Sequence, residues 1–235
     1  FEIGRWAVLH PKEAQALLTP NVIALPKSLD EQIAFRKGHL EAYQGKRLAR
    51  RYTRFLDGIA DRTVREAAAK GYHKLLAYKD EYEVARLLLS SREKAQAEFE
   101  GDFRITFNLA PPLLSREGPE GRPMKREFGP WLERPLRWLS ALKILRGTPF
   151  DIFGYTSERR MERRLIRQYE RDMKEVLPKL DEATRPAIAA LAQLPLDIKG
   201  FGPVKLANEA KAAKRREELL AAIRAGGPAR AQAAE

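Results

Sequence analysis

Apolar residues recur every three to four positions through most of the chain, which is the spacing of amphipathic helices. The segment "SLDEQIAFRKGHLEAYQ" opens with Ser28 and places Glu31 three residues later. This capping-box pattern predicts a helix start, and Gly45 is expected to end the same helix. A longer helical stretch follows over residues 46–99.

Two glycines punctuate that longer stretch. Gly58 and Gly71 interrupt an otherwise continuous helical pattern. Because glycine lowers helix propensity, both positions are predicted to separate one helix from the next.

After residue 99, the spacing of apolar residues changes from the helical period to alternation with polar residues. In "DFRITFNL", apolar Phe103, Ile105, Phe107 and Leu109 alternate with polar residues, which predicts a half-buried strand. The prolines of "APPLL" end it, because proline cannot donate to a strand ladder. "MKREFGPW" is the expected returning strand, so an antiparallel hairpin is predicted between residues 103 and 128.

Helical spacing returns after the hairpin. Pro130 lies where the first turn of a helix tolerates proline, and the alternative is that the helix starts at Pro135. "ERRMERRLIRQYERDMKEVL" is a strongly amphipathic helix with Thr156 or Ser157 as its N-cap. The last helix is "GPVKLANEAKAAKRREELLAAIR". The predicted fold class is therefore mainly α: a helical domain with a small antiparallel β-hairpin.

Charge narrows the classes of partner. The 235 residues include 44 basic and 32 acidic side chains, for a net charge of +12. Such a surface favours anionic partners: nucleic acid, nucleotide-like ligands, an acidic protein face or anionic lipid. The sequence contains no cysteine, which excludes disulfides and cysteine-ligated clusters within this chain and fits a reducing cytoplasm. No apolar run reaches the roughly 18 residues that span a bilayer.

The stretch "HKLLAYKDEYEVARLL" is a candidate for chemistry. On one continuous helix, His73, Asp80 and Glu83 would share a face, and these residue types could bind a divalent metal or transfer protons. The spacing matches neither Glu-x-x-His nor His-Glu-x-x-His. The favoured alternative is structural: Glu83 pairs with Lys79 and Arg86, and Asp80 pairs with an arginine from another element.

Two groups of basic residues are candidates for partner or phosphate contact. Arginine forks suit phosphates and carboxylates, and the helix after Thr156 carries arginines opposite its apolar face. The hairpin segment "GRPMKREFGPW" adds two basic residues beside Phe128 and Trp131. The alternatives are a solvated helix face and a hairpin whose aromatic residues enter the core. The candidate contact residues are Lys125, Arg126, Arg160, Arg163, Arg164 and Arg167.

Several long phrases resemble one family. "LLAYKDEYEVARLL", "FNLAPPLL", "KREFGPW", "LRGTPFDIFGYTSERRMERRLI" and "IKGFGPVKLANEA" are similar, in this order, to the C-terminal region of fused bacterial indolepyruvate:ferredoxin oxidoreductases. The resemblance covers about residues 28–215 and departs after "VARLL", where "LSSREKAQ" replaces a more usual Tyr-Thr-Asp type of continuation.

The resemblance implies membership of a 2-oxoacid:ferredoxin oxidoreductase that uses thiamine diphosphate, Mg²⁺, [4Fe–4S] clusters and coenzyme A. No catalytic, cofactor-binding or metal residue carries over to this chain, because the family's Gly-Asp-Gly motif and cluster cysteines are absent from it. The expected partners are catalytic domains or subunits of the same oxidoreductase in an oligomeric assembly, with ferredoxin as a further candidate and no membrane. Nucleic acid is disfavoured as a partner, because no zinc finger or complete RNP-type aromatic motif accompanies the arginines.

The resemblance also implies a domain organisation. Residues 1–22 are expected to end a preceding gamma-type domain or to form a linker, residues 23–225 to form a helical accessory domain, and residues 226–235 to form a disordered tail. On this reading the chain is a piece of a longer protein or a detached subunit. A stand-alone basic helical nucleic-acid-binding protein and an independent carboxylate–metal enzyme remain as rival functions.

Overall fold

The computed structural model describes residues 2–18, 28–99, 101, 104–109, 124 and 126–227. The chain divides into two compact units, Phe1–Phe35 and Arg36–Glu235. The elements in chain order are α1 Glu2–Leu9, α2 Pro11–Leu18, α3 Leu29–Tyr43, α4 Lys46–Asp57, α5 Arg62–Leu76, α6 Glu81–Glu98, β1 Phe107–Leu109, β2 Arg126–Phe128, α7 Glu133–Ala141, α8 Ser157–Val176, α9 Arg185–Gln193 and α10 Gly202–Arg224. The predicted fold class is confirmed for the described residues.

Local capping signals define several helix ends as predicted. The Ser28 hydroxyl accepts from the Glu31 backbone amide at 3.2 Å, and the Glu31 carboxylate accepts from the Ser28 amide at 3.2 Å. This reciprocal pair is a complete capping box. At the start of α8 the Thr156 hydroxyl accepts from the Arg159 amide at 3.3 Å. Gly45 follows α3 with a φ of +124°, a value that favours glycine.

The prediction that Gly71 separates two helices is wrong. Gly71 lies inside α5, and the chain instead breaks after Leu76, before α6 begins at Glu81. A Cβ at Gly71 would overlap the backbone carbonyl of Ala192 in α9. The glycine is therefore explained by close helix packing, whereas Gly58 does end α4 as predicted.

The core of the second unit surrounds α5, which packs against α4, α8 and α9. Two buried tyrosines connect these helices, because the hydroxyl of each donates to a backbone carbonyl of a neighbouring helix. Tyr52 donates to the carbonyl of Ala69 at 2.9 Å, and Tyr169 donates to the carbonyl of Ala192 at 2.9 Å. The aromatic bodies bury apolar area while the polar tips remain satisfied.

The small hairpin forms a second, smaller core. β1 and β2 are antiparallel, with Phe107 opposite Phe128. Phe107 and Phe128 pack with Ala85 of α6 and Leu136 of α7. Trp131 remains 64% exposed, so only part of the predicted aromatic burial occurs. Strand residue 103 of the prediction and the connecting residues 110–123 lie outside the described residues, as do Lys125 and most of the predicted tail.

A basic groove as candidate functional site

The acidic cluster does not occupy one helix face. His73 belongs to α5, and Asp80 is the N-cap of α6, where its carboxylate accepts from the Glu83 amide at 2.9 Å. The turn at residues 77–80 separates the two helices. The single-helix geometry predicted for the cluster is therefore wrong, because an Asp N-cap starts a new helix there.

Asp80 makes a buried ion pair with Arg146, which lies in the turn that follows α7. The Arg146 guanidinium donates to both Asp80 carboxylate oxygens at 2.5 and 2.8 Å. It also donates to the Tyr43 carbonyl at 3.0 Å and lies 3.7 Å from the centre of the Tyr43 ring. The expectation that Asp80 pairs with an arginine from another element is confirmed. The pair holds α3, α6 and this turn together.

Glu83 is likewise paired, with one of the two residues predicted for it. Arg86 donates to its carboxylate at 2.6 and 2.8 Å. Lys79, the other predicted partner, lies instead 5.9 Å from the Phe201 ring centre. The carboxylate's further neighbour is His39, at 3.9 Å.

His73 contacts a second histidine. Its Nε2 lies 3.1 Å from Nδ1 of His39, so one ring donates to the other when both are neutral. Burial, with smaller contributions from His39 and Arg36, lowers the pKa of His73 to about 4. Burial also lowers the pKa of His39, against an opposing effect of Glu83. The pair is therefore neutral at pH 7.

Metal and membrane features are not found in the described part of the chain. No group of three or more His, Asp or Glu side chains there could hold a metal ion. None of the helices described combines the length and apolar character that crossing a bilayer requires.

A groove of about 1100 Å³ lies between α4, α8 and the segment at residues 144–148. We call it the arginine groove, because its lining includes seven arginines and one carboxylate, Glu170, among the described residues. Phe55 and Tyr72 contribute aromatic surface to it. The seven arginines are Arg47, Arg50, Arg51, Arg54, Arg146, Arg163 and Arg167.

Three of these arginines have protein acceptors. Arg51 donates to both Glu170 carboxylate oxygens at 2.8 Å. Arg146 is neutralised by Asp80, as described above. Arg163 donates to the carbonyl of Gly154 and lies 3.7 Å from a carboxylate oxygen of Asp151.

The other four arginines carry uncompensated charge. No hydrogen bond or ion pair joins the side chains of these four to any residue that the structure describes. The four are exposed, and they line the groove from α4 and α8: Arg47, Arg50, Arg54 and Arg167. Concentrated positive charge in a concave surface attracts anions.

The arginine candidates predicted on α8 separate into two pairs. Arg163 and Arg167 line the groove. Arg160 instead donates to the Tyr155 carbonyl at 2.8 and 3.0 Å, and Arg164 pairs with Glu209 of α10 at 2.8 Å. On the hairpin, Arg126 is exposed in β2, and Lys125 lies outside the described residues.

Sequence reasoning missed the α4 arginines. They lie in "KRLARRYTR" at i, i+3, i+4 and i+7, a spacing that places them along one helix face. That spacing is a usable signal. Their position opposite α8, however, depends on the packing of both helices against α5.

The comparisons with known proteins give a family without an assigned activity. Residues 29–218 match the model of a family described as a family of unknown function (DUF6537). No curated protein and no solved structure matches the chain.

Proposed function

This chain belongs to the DUF6537 family, and from that premise we propose that it is a C-terminal accessory domain, or a detached subunit, of an indolepyruvate (2-oxoacid):ferredoxin oxidoreductase. In this role it contributes assembly contacts and an anion-docking groove. Thiamine diphosphate, Mg²⁺, the [4Fe–4S] clusters and coenzyme A chemistry belong to other domains of the enzyme.

The observation that carries the proposal is that the segments that resemble this enzyme family contact one another in the folded chain. "LLAYKDEYEVARLL" and "LRGTPFDIFGYTSERRMERRLI" lie more than fifty residues apart in the chain. The Asp80–Arg146 pair joins them, and the Tyr82 hydroxyl donates to Asp151 at 3.2 Å. A third segment, "IKGFGPVKLANEA", reaches the same region through Lys205, which pairs with Glu158 at 3.7 Å and with Glu162.

These segments also supply part of the arginine groove. Tyr78, Arg146, Gly147 and Arg163 belong to them and line it. The resemblance therefore falls on residues that shape one surface, as expected for a domain that serves a shared docking role.

The chain's own residues account for a supporting role. Asp80 and Glu83 are each paired with an arginine, which suits a structural network. The groove arginines suit contact with carboxylates or phosphates of an assembled enzyme.

The test is to tag this chain in its native cell and to isolate it at low salt. We expect subunits that contain thiamine diphosphate and iron–sulfur clusters to co-purify, together with indolepyruvate-dependent reduction of a viologen dye. If the cells contain this activity but none of it is isolated with the tagged chain, the proposal is contradicted.

A second candidate is a stand-alone nucleic-acid-binding protein, which the uncompensated groove arginines favour. Binding to phosphates along a strand releases counterions, so affinity would fall steeply with salt. Nucleic acid recovered with the tagged chain, in place of oxidoreductase subunits, would support this candidate.

A further inference from the structure

We propose that the arginine groove is a binding site for a small organic polyphosphate of the nucleoside di- or triphosphate class. The phosphates lie between the arginines of α4 and α8, and the flat ring of the ligand lies against Phe55. The proposal names the class of ligand that the groove binds. The use of that ligand in the complex rests on the proposed function.

Uncompensated charge is the first reason. Arg47, Arg50, Arg54 and Arg167 have no acceptor among the described residues. The lining carboxylate, Glu170, already accepts from both Arg51 and the Tyr72 hydroxyl. Four guanidinium groups that share a concavity repel one another, and an anion with several charges relieves that repulsion.

The spacing along α4 indicates several phosphates. Arg47 and Arg54 are seven residues apart, which corresponds to roughly 10 Å along a helix axis. Arg50 lies between them on the same face. A chain of two or three phosphates can contact successive arginines along this row. Guanidinium forks bind phosphate oxygens through paired hydrogen bonds.

The shape of the groove and the aromatic side chains that line it favour a small ligand over a protein surface. The groove is concave, and its volume of about 1100 Å³ is close to the upper end of small-molecule sites. Phe55 is half-buried, and its ring centre lies 4.3 Å from that of Tyr72, which in turn stacks on Tyr169. Phe55 lines the groove beside these arginines, so an aromatic side chain is available there to contact a flat ring of the ligand.

The experiment measures binding to the full chain by calorimetry, with ATP and inorganic triphosphate as probes, both without Mg²⁺. The test variant is Arg50→Gln with Arg54→Gln, because neither side chain has a partner among the described residues whose loss would affect folding. The matched control is Lys211→Gln with Lys214→Gln, which removes the same charge from exposed positions of α10 outside the groove.

We expect both probes to bind and the groove variant to weaken binding at least about tenfold, since charge-assisted hydrogen bonds are lost. The control variant should change affinity less than about threefold. Tighter binding of ATP than of inorganic triphosphate, with that difference reduced in Phe55→Ala, would support the ring contact.

Three results would overturn the inference. The first is that neither probe binds the folded chain. The second is equal weakening in the two paired variants, which would indicate a non-specific effect of net charge. The third is that a single-stranded oligonucleotide or an acidic peptide binds at least tenfold tighter than ATP and displaces it, which would assign the groove to a macromolecule.

The same variants separate this inference from the proposed function. If the probes do not bind but the tagged chain still co-purifies with oxidoreductase activity, the ligand assignment fails and the accessory role stands. If the probes bind and no oxidoreductase subunit co-purifies, the accessory role fails and the polyphosphate site stands.

Discussion

Arg146 joins residues that are far apart in the sequence. Its guanidinium is satisfied by both oxygens of Asp80, by the Tyr43 carbonyl and by the Tyr43 ring, and the two charged side chains are 2% and 3% exposed. A buried charge is tolerated only when such partners are present. The pair is therefore sensitive to the removal of either member.

We predict that Arg146→Met lowers the free energy of unfolding by about 3–5 kcal/mol, because Asp80 would be left buried without a counter-charge. Arg215→Met is the control, since Arg215 pairs with Glu218 at exposed positions. Its cost should be at most about 1 kcal/mol. Urea denaturation of both variants gives the comparison, and similar costs would show that the Asp80 pair contributes no more than a surface pair.

The two neutral histidines give the second residue-scale prediction. Burial lowers the pKa of His73 to about 4, whereas an unfolded chain has a histidine pKa of about 6.5. Between these values the unfolded state binds more protons than the native state. Native stability is therefore fully present above about pH 6.5 and decreases as the pH falls toward 4.

We predict that His73→Gln keeps more of its neutral-pH stability at pH 4.5 than the unsubstituted chain does. Between about pH 6.5 and pH 4, the buried neutral His73 lowers the free energy of unfolding by roughly 3 kcal/mol. The control is His10→Gln, because His10 is an exposed side chain that pairs with Glu13 on the surface. Urea midpoints at pH 7 and pH 4.5 test this, and identical pH dependence in all three chains would contradict it.

At the scale of elements, Gly71 illustrates how tertiary packing overrides local preference. Alanine is the better helix former by about 1 kcal/mol. At Gly71, however, the added methyl would meet the Ala192 carbonyl and Pro195. Gly38 lies inside α3, where an added methyl would have no neighbouring atom within 4 Å among the described residues. The two glycines share a local conformation and differ in their surroundings.

We predict opposite signs for the two alanine substitutions. Gly71→Ala should lower the free energy of unfolding by about 1–3 kcal/mol through overpacking between α5 and α9. Gly38→Ala should raise it by up to about 1 kcal/mol. Thermal unfolding of the two variants side by side tests the argument, which would fail if Gly71→Ala were as stable as Gly38→Ala.

Sequence signals predict the element boundaries correctly where the cause is local. The capping box at Ser28 and Glu31 and the N-cap at Thr156 depend on residues three positions apart, so the sequence contains the whole interaction. The alternating hairpin also has a local cause. Two predictions are wrong: Gly71 as a helix boundary, and a continuous helix through Asp80. The first depends on packing against α9, and the second on an N-cap that lies within an apolar helical pattern.

At the scale of the molecule, the arginine groove is only partly predictable from the sequence. The arginines of α8 are recognisable from their face of the helix, and Arg163 and Arg167 do line the groove. The α4 arginines lie more than a hundred residues away. Their approach is set by Arg51, which bridges to Glu170, and by Phe55, whose ring centre lies 5.8 Å from that of Tyr169. Such juxtapositions follow from packing and not from periodicity.

The last prediction concerns which parts of the proposed enzyme carry out the reaction. Decarboxylation of a 2-oxoacid requires a cofactor that stabilises a carbanion, and electron transfer to ferredoxin requires redox centres. The 235-residue chain has no cysteine to hold an iron–sulfur cluster by its usual ligands and no Gly-Asp-Gly sequence. We therefore expect the purified chain to show no viologen reduction with thiamine diphosphate, Mg²⁺, coenzyme A and indolepyruvate.

The complex isolated through the tagged chain is the positive control for that assay, under the same conditions. Reduction by the chain alone, at a rate above that of buffer, would contradict the accessory role and would make the residues around His73 and Glu83 candidates for catalysis. Reduction by the complex alone would assign the chemistry to its other subunits. The groove arginines would then act on the assembly or on a bound anion, because they lie on a chain that does not perform the reaction by itself.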